Sequence, residues 1–285
     1  MPGFETKYMS LPGQILKGVT NKAGALLHNP NAKINVNWLG EKLYKHMPDG
    51  KERTHILFGK KVYFIRPSEF LYGLKEIFIK EPYKQTLGAH PYIVDCGAHI
   101  GLSVIYMKEQ YPGAEIDAFE PDERNFDLLS KNVASFGFQG VRLHKEAVWK
   151  EDTVLRFAGD NTMGSRINEQ GGNVEVKAVR LKRFLGRPVD FLKMDIEGAE
   201  YEVIMDIADQ LHNVRNFFIE YHGRFDQMNE LLAIFTILAN HGFDYYIKEA
   251  TTLYASPYYR PQRPDSPYDV QLNIFSWNTR GQTKA

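Results

Sequence analysis

Asp190-Phe191-Leu192-Lys193-Met194-Asp195-Ile196-Glu197-Gly198-Ala199-Glu200 packs carboxylates, a lysine and a glycine around the end of an apolar run. Residues 189–194 read as a buried strand, so Asp195, Glu197 and Glu200 fall at its C-terminal edge, where open α/β sheets bind ligands. Burying that much charge is costly unless it serves a cation, a hydrogen-bond network or a helix N-terminus. Asp195 is the best placed to face the cationic end of a cofactor. Glu197 and Glu200 read equally well as carboxylates of a first helical turn.

The next strand ends Phe217-Phe218-Ile219-Glu220-Tyr221-His222. Its period of two puts Glu220 and His222 on one face, beside the end of the Asp195 strand. An imidazole with a reference pKa of about 6.5 suits proton abstraction near neutrality. His222 is therefore the expected general base, with Glu220 holding the imidazolium and Lys193 or Asp195 ordering an acceptor. The competing reading is a polar strand terminator. Asp195, Glu220 and His222 also offer hard oxygen and imidazole ligands that would let Mg²⁺ orient a vicinal diol. Metal-free catalysis is preferred, because the same three side chains describe a hydrogen-bond network.

Upstream, Val94-Asp95-Cys96-Gly97-Ala98-His99-Ile100-Gly101 reads as a strand, a tight glycine turn and a helix start, where the backbone can approach a ligand closely. His99 and Ile100 break the G-x-G-x-x-G spacing of dinucleotide-binding folds, which disfavours NAD. About twenty residues on, Ala118-Phe119-Glu120-Pro121 ends a second strand in a carboxylate that can accept hydrogen bonds from both ribose hydroxyls of a nucleoside. The alternative is that Glu120 only caps the following helix.

These groups need a scaffold, and from Pro91 onward short apolar runs alternate with helical periodicity, the pattern of a parallel sheet with crossover helices. Strands are expected at 92–95, 114–119, 141–148, 189–194, 216–222, 243–248 and 270–277. Helices are expected at 102–110 and 122–136, the latter burying Leu128, Leu129 and Val133. A third buries Val203, Ile204, Ile207, Ala208 and Leu211, and a fourth buries Met228, Leu231, Leu232, Phe235 and Leu238. Alternation on either side of residues 159–172 predicts an inserted β-hairpin over about 152–185. The expected fold is an α/β Rossmann-like doubly wound sheet, mostly parallel with an antiparallel last strand. Residues 1–90 read as an N-terminal extension of loops and one short hairpin around 55–65, and residues 91–285 as the main domain.

Lysine plus arginine equals aspartate plus glutamate at 35 each, so no global field draws in nucleic acid or an anionic membrane. A single cysteine, Cys96, cannot form an internal disulfide and fits a reducing compartment. With no signal-peptide core and no run of eighteen apolar residues, a cytoplasmic location is expected.

The run VDCGAHIG, the AFEPD segment, the inserted hairpin and above all FLKMDIEGAE together resemble the FkbM-type family of S-adenosylmethionine-dependent class I methyltransferases, across residues 75–250. The resemblance implies that Asp95, Gly97 and Gly101 shape a methionine pocket, together with Ala98, His99, Leu102 and Ser103. It also implies that Glu120, beside Pro121, holds the ribose, and that Ala147 and Val148 lie against the adenine. It points to S-adenosylmethionine as cofactor and to a hydroxyl on a small, sugar-like or natural-product acceptor. No nucleic acid or membrane span is expected, and homodimerisation is left open. His99 departs from the Asn often found there, and residues 1–74 match nothing in the family. N-methylation, nucleic-acid methylation, a Rossmann oxidoreductase and a non-catalytic cofactor-binding module are the competing readings. Residues 1–90 and the loop 251–269, with Tyr254, Tyr258 and Tyr259, are expected to cover the pocket and select the acceptor.

Overall fold

The computed structural model describes residues 31–157, 174–259 and 266–279. Its contacts divide the chain into two units, one of residues 1–52 and 65–81 and one of residues 53–64 and 82–285.

In the first unit, α1 (Trp38–His46) starts at Asn37, whose side chain accepts a hydrogen bond from the Gly40 amide at 2.8 Å. A second helix of this unit begins with Pro67 at its first turn and runs to Leu74, and a π-helical turn follows at Lys75–Ile79. Glu41 bridges Lys45 and Lys75 at 3.0 and 2.7 Å. Loops were expected here, and the structure has helices instead. Phe70, Leu71 and Leu74 are buried at helical spacing, a signal that a reading built on turn residues passes over.

In the second unit, β1 (Arg53–Leu57) and β2 (Lys60–Phe64) form the predicted hairpin, its turn made by Phe58 and Gly59, both at positive φ. Asn132 fastens this hairpin. Its amide exchanges hydrogen bonds with the Tyr63 backbone and donates to Ile100 O at 2.8 Å.

The main sheet has seven strands. In chain order they are β3 (Tyr92–Cys96), β4 (Glu115–Phe119), β5 (Val141–His144), β9 (Val189–Met194), β10 (Val214–Gly223), β11 (Phe243–Glu249) and β12 (Val270–Asn278). Their spatial order is β11-β12-β10-β9-β3-β4-β5, with β12 antiparallel to both neighbours. This is the expected doubly wound sheet with an antiparallel last strand. After the helix of 67–74 (α2), the crossovers use α3 (Leu102–Gln110), α4 (Glu123–Phe136), α5 (Glu200–Ile207) and α6 (Met228–Asn240). The chain moves outward from β3 on one side and resumes at β9 on the other. The crevice between β3 and β9 is thus the topological switch point, where such folds bind ligands.

Two expectations need correction. The third strand does not run unbroken to Val148: at Lys145 and Glu146 the chain leaves the main sheet, and β6 (Ala147–Trp149) joins β7 (Thr153–Phe157) and β8 (Val174–Arg180) in a separate three-stranded sheet. This is the inserted hairpin with one further strand, and its 159–172 loop lies outside the described residues. In α6 the buried positions are Leu231, Ile234 and Leu238, while Leu232 is 61% exposed and Met228 is also exposed. The helix turns a narrower stripe inward than its apolar content suggests. Among the described residues, no helix is long and apolar enough to cross a membrane.

Candidate functional site

Asp95 of β3 pairs in register with Lys193 of β9, and Lys193 with Phe218 of β10, so the three side chains share a face of the sheet. Continuing that register puts Glu220 beside Asp195 and leaves His222 one step beyond. At the switch point the chain needs glycine. A Cβ on Gly97, at φ +85°, would lie 1.9 Å from the Asp195 carbonyl oxygen, and one on Gly101 would meet Leu129 Cδ1 at 2.6 Å. The Gly97 and Ala98 amides donate to Phe119 O, and the Asp195 amide to Cys96 O, which locks the ends of β3, β4 and β9 together.

Lys193 is buried beneath this loop. Its Nζ donates to Gly97 O at 2.8 Å and lies 3.2 Å from Asp95 and 3.6 Å from Asp195. Burial opposes its charge, but the two aspartates outweigh that and raise its pKa well above the ordinary lysine value. Asp95 also accepts from Ser103 Oγ at 2.5 Å. Lys193 therefore braces the glycine turn from below. Leu102 is buried in the first turn of α3.

Glu120 is not the cap of α4. That role belongs to Asp122, whose carboxylate accepts from the Asn125 amide. Glu120 is buried, accepts from the His99 amide at 2.8 Å and the Asp122 amide at 2.9 Å, and has a pKa raised by burial. A carboxylate with two oxygens retains acceptor capacity beyond those two bonds. His99 sits at φ +49° between this carboxylate and the β9 loop, and Pro121 follows half-buried.

Around His222 the acids divide their roles. Glu200, buried at the start of α5, accepts from the Ile196 and Gly198 amides at 3.0–3.2 Å and contacts His222 Nδ1 at 3.2 Å. Glu200, and not Glu220, is thus the closest anion to the imidazole. His222 Nε2 lies 3.7 Å from both Glu197 and Glu220. Burial disfavours the imidazolium, but Glu200, Glu197 and Asp195 overcome it and push His222 up to about 10. Burial raises Glu197 to about 7 and, with Asp195 adding, Glu220 to about 8. At neutral pH the imidazole is charged, and the groups that titrate near neutrality are Glu197 and, slightly above it, Glu220. Ligand atoms of Asp195, Glu220 and His222 all lie within 4.8 Å of one another, a spacing that a divalent ion can bridge.

Two tyrosines at this site escaped the sequence reading. Tyr83 packs edge-on against Phe218, with centroids 5.1 Å apart. Burial, opposed by Lys193 and helped by Asp195, Asp95 and Glu220, raises its hydroxyl pKa far above the ordinary value, which places it in the field of the cluster. Tyr268 donates to Glu197 O at 2.7 Å and its ring lies 4.9 Å from that of His222. Of the tyrosines expected from the loop, Tyr258 and Tyr259 are exposed and Tyr254 donates to Asp269. Residues 260–265 and 1–30 lie outside the described residues. Ala147 and Val148 are buried in the apolar cluster around β6 and β8. A separate cavity of about 520 Å³ is lined by Tyr92, Asp117, Arg142, His144, Arg183 and Arg187. Its guanidiniums are already paired with Asp117, Glu115 and Asp152, so it is not the centre of chemistry.

Comparison with known proteins gives a consistent picture. Residues 95–245 match the family model described as the Methyltransferase FkbM domain, which is more than half of the chain. The chain is 32% identical to Methyltransferase sdnD of Sordaria araneosa, across 54% of this chain and 74% of that protein. It is 28% identical to Methyltransferase 1 of Beauveria bassiana, across 61% and 80%. It is 24% identical to the 31-O-demethyl-FK506 methyltransferase FkbM of Streptomyces tacrolimicus, across 69% and 87%.

Proposed function

Because the chain belongs to the FkbM methyltransferase family and is an S-adenosylmethionine-dependent methyltransferase, we propose that it methylates a hydroxyl oxygen of a small, sugar-like or natural-product acceptor. The observation that carries this reading is the convergence of Asp195, Glu220 and His222 beside the β3–β9 crevice. One relative's name specifies a 31-O-demethyl natural-product acceptor, which supports oxygen as the atom modified.

The donor set of the crevice fits the cofactor. Glu120 offers a buried carboxylate to ribose hydroxyls, and Asp95 and Asp195 supply negative charge for a cationic end. When bound, S-adenosylmethionine supplies an electrophilic methyl on a sulfonium, which an acceptor oxygen takes as the carbon–sulfur electron pair returns to sulfur. Glu220 accepts the acceptor's proton, since a carboxyl held near 8 is matched to a hydroxyl that acidifies during transfer. His222, charged and fixed by Glu200, keeps Glu220 from rising further. Lys193 holds the glycine turn and Asp195 in place.

A second reading is favoured by the 4.8 Å spacing: the same three residues would hold Mg²⁺, and the ion would supply Lewis-acid chemistry toward a vicinal diol. The test is methyl transfer from labelled S-adenosylmethionine to a panel of hydroxylated acceptors, with and without chelator. Transfer to oxygen that survives chelation supports Glu220 as base. Loss in chelator with recovery in Mg²⁺ supports the metal. Transfer to nitrogen only, or none to any acceptor, refutes the proposal.

A further inference from the structure

The main sheet ends at β11, an edge that carries Asp244, Lys248 and Glu249 but neither proline nor bulge. Natural sheets blunt an edge strand with proline, a bulge or very short length. β11 has seven residues, pairs with β12 in unbroken register, and contains no proline. Tyr245, Tyr246 and Ile247 are exposed along it, Tyr246 to 56%.

Two backbone hydrogen bonds fix which groups face outward. The Ala250 amide donates to Gln271 O and the Thr279 amide to Gly242 O. In an antiparallel ladder, residues of that parity direct their amides and carbonyls toward the partner. Residues 244, 246 and 248 therefore bond to β12, and residues 243, 245, 247 and 249 present theirs outward. Among the described residues, no strand takes them up.

A second copy of β11, antiparallel and related by a twofold axis, meets this row. An axis through Tyr246 makes Tyr245 and Ile247 a hydrogen-bonded pair, sets Tyr246 against its own copy, and sets Asp244 against Lys248 of the other chain twice over. An axis through Tyr245 or Ile247 also satisfies the backbone, but it leaves those charges unmatched. Lys248 Nζ lies 5.4 Å over the ring of Phe275, which keeps the ammonium on the face that Asp244 shares. Opposite charges directly across a strand pair stabilise it and like charges destabilise it.

We propose that the protein forms a twofold homodimer through β11, with Tyr246 on the axis and Asp244 paired to the partner's Lys248, so that two seven-stranded sheets join into one. This interface lies at the far edge of the sheet from β3 and needs no change at the crevice.

The test is the mass of the full chain in solution by sedimentation velocity across micromolar concentrations, where a dimer is expected. Lys248→Asp sets carboxylates opposite one another at both ends and should raise the dimer dissociation constant at least tenfold. Adding Asp244→Lys to that variant reverses both charges and should restore the dimer. Because these side chains are exposed, each variant should stay folded, with the far-ultraviolet circular dichroism of the wild type. Opposed residues of a non-hydrogen-bonded pair bring Cα atoms to about 4.5 Å, within disulfide reach. Tyr246→Cys should therefore cross-link under mild oxidation and Tyr245→Cys should not, Cys96 being buried. A monomer at every concentration would overturn the proposal, as would a dimer indifferent to Lys248→Asp. Equal cross-linking at 245 and 246 would overturn the register.

Discussion

Replacing His222 separates two roles that one imidazole can play. If it takes the proton, His222→Ala loses turnover at every pH. If it is the fixed cation beside Glu220, its removal lets that carboxyl rise further, because the imidazolium lowers it. The sign follows: Glu220 accepts a proton only when ionised, so wild-type turnover climbs as pH rises through about 8, and the climb moves to higher pH in His222→Ala. A pH–rate profile of both proteins decides it, and alkaline recovery of the variant is the expected result. Above pH 8 Glu220→Gln should lower turnover by a factor on the order of 10² to 10⁴, with cofactor affinity nearly intact, and the deficit should shrink as pH falls and the wild-type carboxyl is protonated. The convergence of Asp195, Glu220 and His222 was legible because strand period and neighbouring strands decide it. The division of labour was not, because Glu200 reaches His222 from a helix whose packing no local pattern reveals. Tyr83 and Tyr268 were invisible for the same reason: each arrives from a segment distant in sequence.

The crevice is built by elements whose close approach leaves little tolerance. Gly97→Ala puts a methyl group 1.9 Å from a backbone oxygen at an unfavourable φ, so the β3–β9 junction must open. Its expected outcome is a lowered unfolding midpoint together with lost cofactor binding. Glu200→Ala removes the acceptor of two loop amides and strands a buried imidazolium, which should cost about 3 to 5 kcal/mol by denaturant unfolding. Glu200→Gln, which keeps an acceptor, should cost less. On α6, Ile234→Ala should destabilise by about 2 to 5 kcal/mol, whereas Leu232→Ser should be nearly neutral. Apolar periodicity found that helix but chose Leu232 for the core, since a broad apolar stripe does not say which part meets the sheet. Strand limits of β9 and β10 were read closely because apolar runs bounded by turns mark buried strands. The break at Lys145 and Glu146 was missed because both halves of that run carry strand-like residues.

At the scale of the molecule, equal numbers of acidic and basic residues leave recognition to local sites, and the acidic surplus at the crevice suits a cationic cofactor. The helices of 38–46 and 67–74 show how a reading guided by a sheet pattern undervalues a segment outside it. Methyl transfer by this chain requires the crevice between β3 and β9 to hold an adenosyl cofactor by its ribose. Calorimetric titration of S-adenosylhomocysteine into the wild type and into Glu120→Ala measures that directly. One site per chain is expected in the wild type. The variant should bind more weakly by about 1.5 to 3 kcal/mol, the loss of charge-assisted hydrogen bonds to the hydroxyls. No binding by the wild type, or equal affinity in the two proteins, would contradict the account.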